Sequence, residues 1–187
     1  MKSRVLIYAT LTCVLCLSPL LQSDQAFSRT RRDHLTPQEA DLVREAQQLD
    51  KRIAVFIKAA ERRVQAAMNP AGKDVEKDVE MWGELKGTRA DYLSDLAKIL
   101  DEAITNIDDV SGRDERNPLI PKAVRKLAEA SSKFLTQLAP LRDKVEAGAE
   151  RASLEAAVEN AQSVIDASAK LPAPAPKSGK KKDGEKQ

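Results

Sequence analysis

Cysteine is almost missing from this chain of 187 residues; the two present, Cys13 and Cys16, both lie in its opening segment. Removal of that segment by processing leaves no disulfide, no thiol nucleophile and no cysteine metal site. Histidine occurs once, at His34. A lone histidine does not build a zinc or iron centre, and without a Glu-x-x-His pair the di-iron carboxylate bundle lacks its ligands. Aromatic residues make up 3% of the chain, too few for the sheets and sandwiches that rely on them. No phosphate loop or dinucleotide fingerprint is present, and no histidine is placed to activate a serine. Acidic neighbours occur at Asp78 and Glu80, Asp108-Asp109 and Asp114-Glu115. All fall in loops or on polar faces, where nothing raises a carboxyl pKa for acid–base work. The sequence therefore offers no catalytic residue, metal ligand or cofactor site, and a non-enzymatic role is expected.

What is there in quantity is Ala, Leu, Glu and Lys, which favours helix. Formal net charge is only +2, so no global field selects a partner. The charge is uneven, however, with a mildly acidic middle and a basic end. Residues 1–26 read as an export signal. Lys2 and Arg4 open it, an apolar run spans Val5 to Leu21, and Ala26 offers a small residue before a cut. The run is short for a membrane span and carries Pro19 near its end. The expected location is the periplasm or the extracellular space. Residues 27–35 form a basic linker that includes His34.

The body, residues 36–171, reads as an elongated antiparallel bundle of three to four long helices. A first helix is expected over 36–69. Thr36, Pro37 and Glu39 make a start signal, with a capping box between Thr36 and Glu39. Leu42, Ala46, Leu49, Ile53, Phe56 and Ala60 then repeat at coiled-coil-like spacing. Arg44, Glu45, Lys51, Lys58, Glu61 and Arg62 are placed on the outward face. A second helix is expected from Asp74, with a break or bend near Gly83 and Gly87 because Thr88 and Asp91 form a second start signal. Ser111-Gly112 is expected to end it in a left-handed cap. A third seam runs from Ile120 through Leu127, Phe134 and Leu138 to Val145, with a kink expected at Pro140. A fourth, Leu154 to Ala169, either folds back after Gly148 or continues the third.

Two surface features remain. Trp82, Gly83, Gly87 and Tyr92 suggest a small groove if the two glycines stack one turn apart on a helix. Residues 172–187 begin with alternating proline and alanine and end in lysines. Their composition predicts a disordered tail. Lys177, Lys180, Lys181, Lys182 and Lys186 are its candidate contacts to an anionic surface. The tail has no aromatic residue to stack on bases, so no nucleic-acid partner is expected.

Leu35-Thr36-Pro37-Gln38-Glu39 resembles the Leu-Thr-x-x-Gln signature of the Spy and CpxP periplasmic chaperones. Glu39 stands where that signature has Gln, no second copy is present, and a capping box accounts for the five residues. The family is therefore not assigned. The leading expectation is an exported helical binding or scaffold protein whose partner is an unknown protein or envelope polymer. Membrane contact is expected only through an uncleaved signal or the basic tail. A periplasmic holdase is the first alternative, and an enzyme or cofactor-binding bundle with an unrecognised polar site is the second.

Overall fold

A computed structural model describes residues 33–69, 79–145 and 148–172. The expected export signal, most of the basic linker, the turn after Asn69 and the tail from Ala173 onward lie outside the described residues. The described residues are all-helical. Six α-helices follow one another: α1 Pro37–Glu45, α2 Leu49–Met68, α3 Val79–Trp82, α4 Arg89–Arg113, α5 Leu119–Leu138 and α6 Ala149–Ala169. A 3-10 turn, Ala139–Leu141, follows α5. Among the described residues, no helix is long and apolar enough to cross a membrane.

The helix expected over 36–69 is two helices. It starts as expected, with Thr36 and Glu39 in a complete capping box, but stops at Ala46, where ψ turns to 85°. The guanidinium of Arg52 donates to the Ala46 carbonyl at 3.1 Å and to Asn106 of α4 at 3.1 Å, so the broken end is satisfied and fastened. The reason for the break lies further along. Glu39 is fully buried against Arg62 and Arg63. In a straight helix those residues would be about 35 Å apart. Only a reversal at residues 46–48 brings them together. Arg62, placed on the outward face by periodicity, is 3% exposed.

The break expected near Gly83 and Gly87 is present. Trp82 ends α3, and Thr88 starts α4 with a capping box to Asp91. The left-handed cap expected at Gly112 does not form, because α4 runs through Gly112 to Arg113 and caps at Asp114. Pro140 does not kink a continuous helix either. It sits in the first turn of the 3-10 segment, where its missing N–H costs nothing. Gly148, at φ +105°, precedes α6. The fold-back left open by the sequence is the observed one, since α6 lies against both α4 and α5.

The core is shared by α2, α4, α5 and α6. Ile53 and Phe56 of α2, Leu96 and Ile99 of α4, Leu127 and Phe134 of α5, and Leu154 and Ala161 of α6 all belong to it. Helix α2 packs on α4 and α5, and α6 packs on the same two helices. The buried stripe of α6 is Leu154, Ala157, Ala161 and Val164, while Val158 and Ile165 are only partly buried. Small alanines let α6 approach α4 closely enough for Asn160 to donate to the Ala97 carbonyl at 2.9 Å.

Candidate functional site

Two features stand out against this core, a buried charged cluster and an open groove. The cluster begins with Thr36 and Glu39. Glu39 Oε2 accepts from the Thr36 backbone N–H at 2.9 Å, and the Glu39 N–H donates to Thr36 Oγ1 at 3.1 Å. The carboxylate then receives two guanidinium groups. Arg63 bonds it through both terminal nitrogens, at 2.5 and 2.7 Å, and Arg62 donates to Oε1. Arg63 also reaches the His34 carbonyl at 2.6 Å. Arg62 donates to the carbonyls of Trp82 and Gly83. The cluster thus ties the segment before α1, α1 itself, α2 and the end of α3 into one knot. Gly83 is required there. Its φ is +74°, and a Cβ would lie 2.5 Å from Gln38 Oε1 and 2.8 Å from Thr36 Oγ1. Glu39 is completely covered, so the knot offers no surface to a ligand.

That geometry also settles the placement of the residues grouped as a small groove. Gly83 and Gly87 lie outside any helix and do not stack on a helical face. Tyr92 is 7% exposed and packs in the core. Trp82 contributes its carbonyl to the knot, accepting also from Thr36 Oγ1 at 2.6 Å. His34, at the end of the basic linker, is half-buried, with Nε2 2.5 Å from Glu102 Oε2 of α4. Asp108, Asp109, Asp114 and Glu115 are exposed. Among the described residues, no group of three or more His, Cys, Asp or Glu is placed to hold a metal ion. The five candidate lysines of the tail lie outside the described residues.

The groove was not anticipated by the sequence. It has a volume of about 940 Å³ and runs along the seam between α5 and α6. Leu135 of α5 with Leu154 and Val158 of α6 give it an apolar floor. Its edges are charged and ordered along the seam. Arg142 and Arg151 stand at one end, Glu155 and Glu159 follow, and Asp166 and Lys170 stand at the other end. The signal existed in the helical spacing of Leu154 and Val158 with Glu155 and Glu159. It could not be read as a groove without knowing that α6 folds back beside Leu135. A smaller cavity of about 70 Å³ lies between Ile104, Ile107, Leu127 and Val164, too small for more than a solvent molecule or two.

Elsewhere, ion pairs join the helices. Lys122 of α5 meets Asp50 of α2, and Arg89 of α4 meets Glu150 of α6. The Lys122 ammonium, hydrogen-bonded to Asp50, holds that carboxyl below its usual value. Glu129 and Lys133 pair one turn apart on α5, which lowers the Glu129 pKa and raises that of Lys133. None of these groups faces the groove. No protein-family model matches the chain, and no curated protein or solved structure matches it significantly.

Proposed function

We propose that the chain is an exported, non-enzymatic binding or scaffold protein, built as an elongated antiparallel helical bundle, whose α5–α6 seam holds an apolar segment of a partner. The observation that supports this reading is the groove of about 940 Å³ with an aliphatic floor and charged edges. Concave, mostly apolar surfaces with a few placed polar groups are where proteins take ligands and peptide segments. An amphipathic helix fits such a seam, because its apolar face can lie on Leu135 and Val158 while its charges meet the edges. Export rests on the charged start and apolar run of residues 1–26. The partner is a protein or polymer of the cell envelope.

A photoreactive residue at Gln162, exposed on the groove edge, tests this in the native envelope fraction. The same residue at Asp109, exposed on α4, serves as the control. The expected result is one defined adduct at Gln162, absent at Asp109 and lost on Val158→Glu. The same adducts from both positions would overturn the reading. A holdase would give a broad smear of clients at Gln162 and would suppress light scattering by an aggregating protein.

A further inference from the structure

We propose that the segment held in the α5–α6 groove is a basic amphipathic helix of another protein. It lies antiparallel to α6, with lysine or arginine side chains over Glu155, Glu159 and Asp166. This identity rests on the reading of the seam as a binding groove and adds the chemistry of what fills it.

Helical spacing sorts the groove lining into two stripes. Glu155, Glu159, Gln162 and Asp166 follow one another at steps of four, three and four residues, so they form one line along α6. Leu154 and Val158 form a second line beside it and share the groove with Leu135 of α5. An apolar line next to a charged one is matched by a helix that carries the same two lines with the opposite charge. From Arg151 to Lys170, α6 rises about 28 Å, room for a partner helix of about 20 residues.

The charge of this stripe is not neutralised within the body. Glu150 of the same helix is paired with Arg89, and Glu129 of α5 with Lys133. Among the described residues, Glu155 and Glu159 have no ion-pair partner. Both are exposed, one turn apart, a spacing at which like charges repel. Arg151 has the same spacing to Glu155 but donates to the Val145 carbonyl at 3.1 Å. Asp166 accepts from the Gln162 amide at 2.9 Å, a neutral donor that leaves the carboxylate charge in place. A cationic partner relieves this repulsion, whereas an acidic one adds to it.

The ends of the groove set the direction. Arg142 and Arg151 stand at the start of α6 and Lys170 at its end. The last carbonyls of a helix carry partial negative charge, and acidic side chains are favoured in a first turn. An antiparallel partner therefore sets its C-terminal end beside the two arginines and an acidic first turn beside Lys170. Its basic residues then fall opposite Asp166, Glu159 and Glu155 in that order, seven and four positions apart. A second copy of this chain matches less well. With Arg151 of one α6 set against Asp166 of another, the two Glu159 side chains meet near the two-fold axis and repel.

A synthetic helical peptide of about 20 residues, with lysines at that spacing and leucines beside them, tests this by titration and amide spectra of the full chain. A second peptide carries glutamates in place of the lysines. The lysine peptide is expected to shift Glu155, Val158 and Glu159 of α6 and Leu135 of α5, and to bind at least about tenfold more tightly than the glutamate peptide. On Glu155→Lys with Glu159→Lys, at a retained melting midpoint, the preference should reverse, which a merely structural effect would not produce. Rising salt should weaken the lysine peptide on the wild-type chain. Equal affinity of the two peptides, an unchanged preference in the double variant, or shifts confined to another face would overturn the proposal. Shifts of the same α6 residues on concentrating the chain alone would overturn it in favour of a second copy. If the charge preference fails while the Gln162 adduct persists, the groove still serves a partner of other chemistry. If the adduct is absent as well, both readings fall.

Discussion

Glu39 is where a short local signal and a long-range constraint meet. The capping box with Thr36 is legible in five residues of sequence, and it forms. The same carboxylate also receives Arg62 and Arg63, which helical spacing alone assigns to other faces. Burial of a guanidinium depends on a partner 23 positions away, and no periodicity carries that information. Removing one member of a buried charge cluster leaves the others desolvated without compensation, at about 3–5 kcal/mol. Glu39→Gln is expected to lower stability by that amount, read as a shift in the urea midpoint at unchanged m-value. Gly83 belongs to the same knot. At φ +74° with a Cβ overlapping Thr36, Gly83→Ala is expected to cost at least about 1–2 kcal/mol from the left-handed conformation alone. Urea melts check this, and an unchanged midpoint would show that the loop relaxes freely.

At the scale of elements, the seams were legible and the ends less so. Ile53, Phe56, Leu96, Ile99, Leu127, Phe134 and Leu138 repeat at helical spacing, and all are buried. Thr88 and Asp91 announced the start of α4, and the box closes with the Thr88 N–H donating to Asp91 Oδ2 at 2.8 Å. Thr88→Ala is expected to cost about 1 kcal/mol in thermal melts, the usual value of an N-cap. What the sequence hid were breaks imposed from outside the helix. Residues 46–48 are Ala-Gln-Gln, which no local rule marks as a stop, and the reversal there follows from Glu39 reaching α2. Gly112 is the converse case. Its freedom suited a cap, yet α4 continues through it to Arg113.

The junction of α2 and α5 adds a pH dependence. Asp50 is held below its ordinary value of 3.8 by Lys122. Its contribution is therefore fully present above that value and lost as pH falls through the lower folded value. Lys122→Met should lower stability near neutrality and flatten the acid limb below about pH 4. An unchanged acid limb would show that the pair does not couple to folding.

At the scale of the whole molecule, the described residues form an all-helical body with apolar residues collected into a core and an open seam. The core was legible from spacing because each helix carries its own stripe. The seam was not, because it is made by two helices, and their adjacency depends on α6 folding back beside α5. That adjacency puts Leu135 beside Val158, and the charged edges follow from the outward positions of α6. The central claim is that this seam is the working face. Its most direct test is the affinity of the partner captured at Gln162, measured by titration against the wild-type chain, Val158→Glu and the control Asp109→Lys, with each melting midpoint recorded. A charge on the aliphatic floor removes apolar contact and leaves a carboxylate to be desolvated, so Val158→Glu is expected to raise Kd by about tenfold or more at a retained folded state. Asp109→Lys should leave Kd unchanged. Equal affinity for the wild-type and Val158→Glu chains, both folded, would contradict the account.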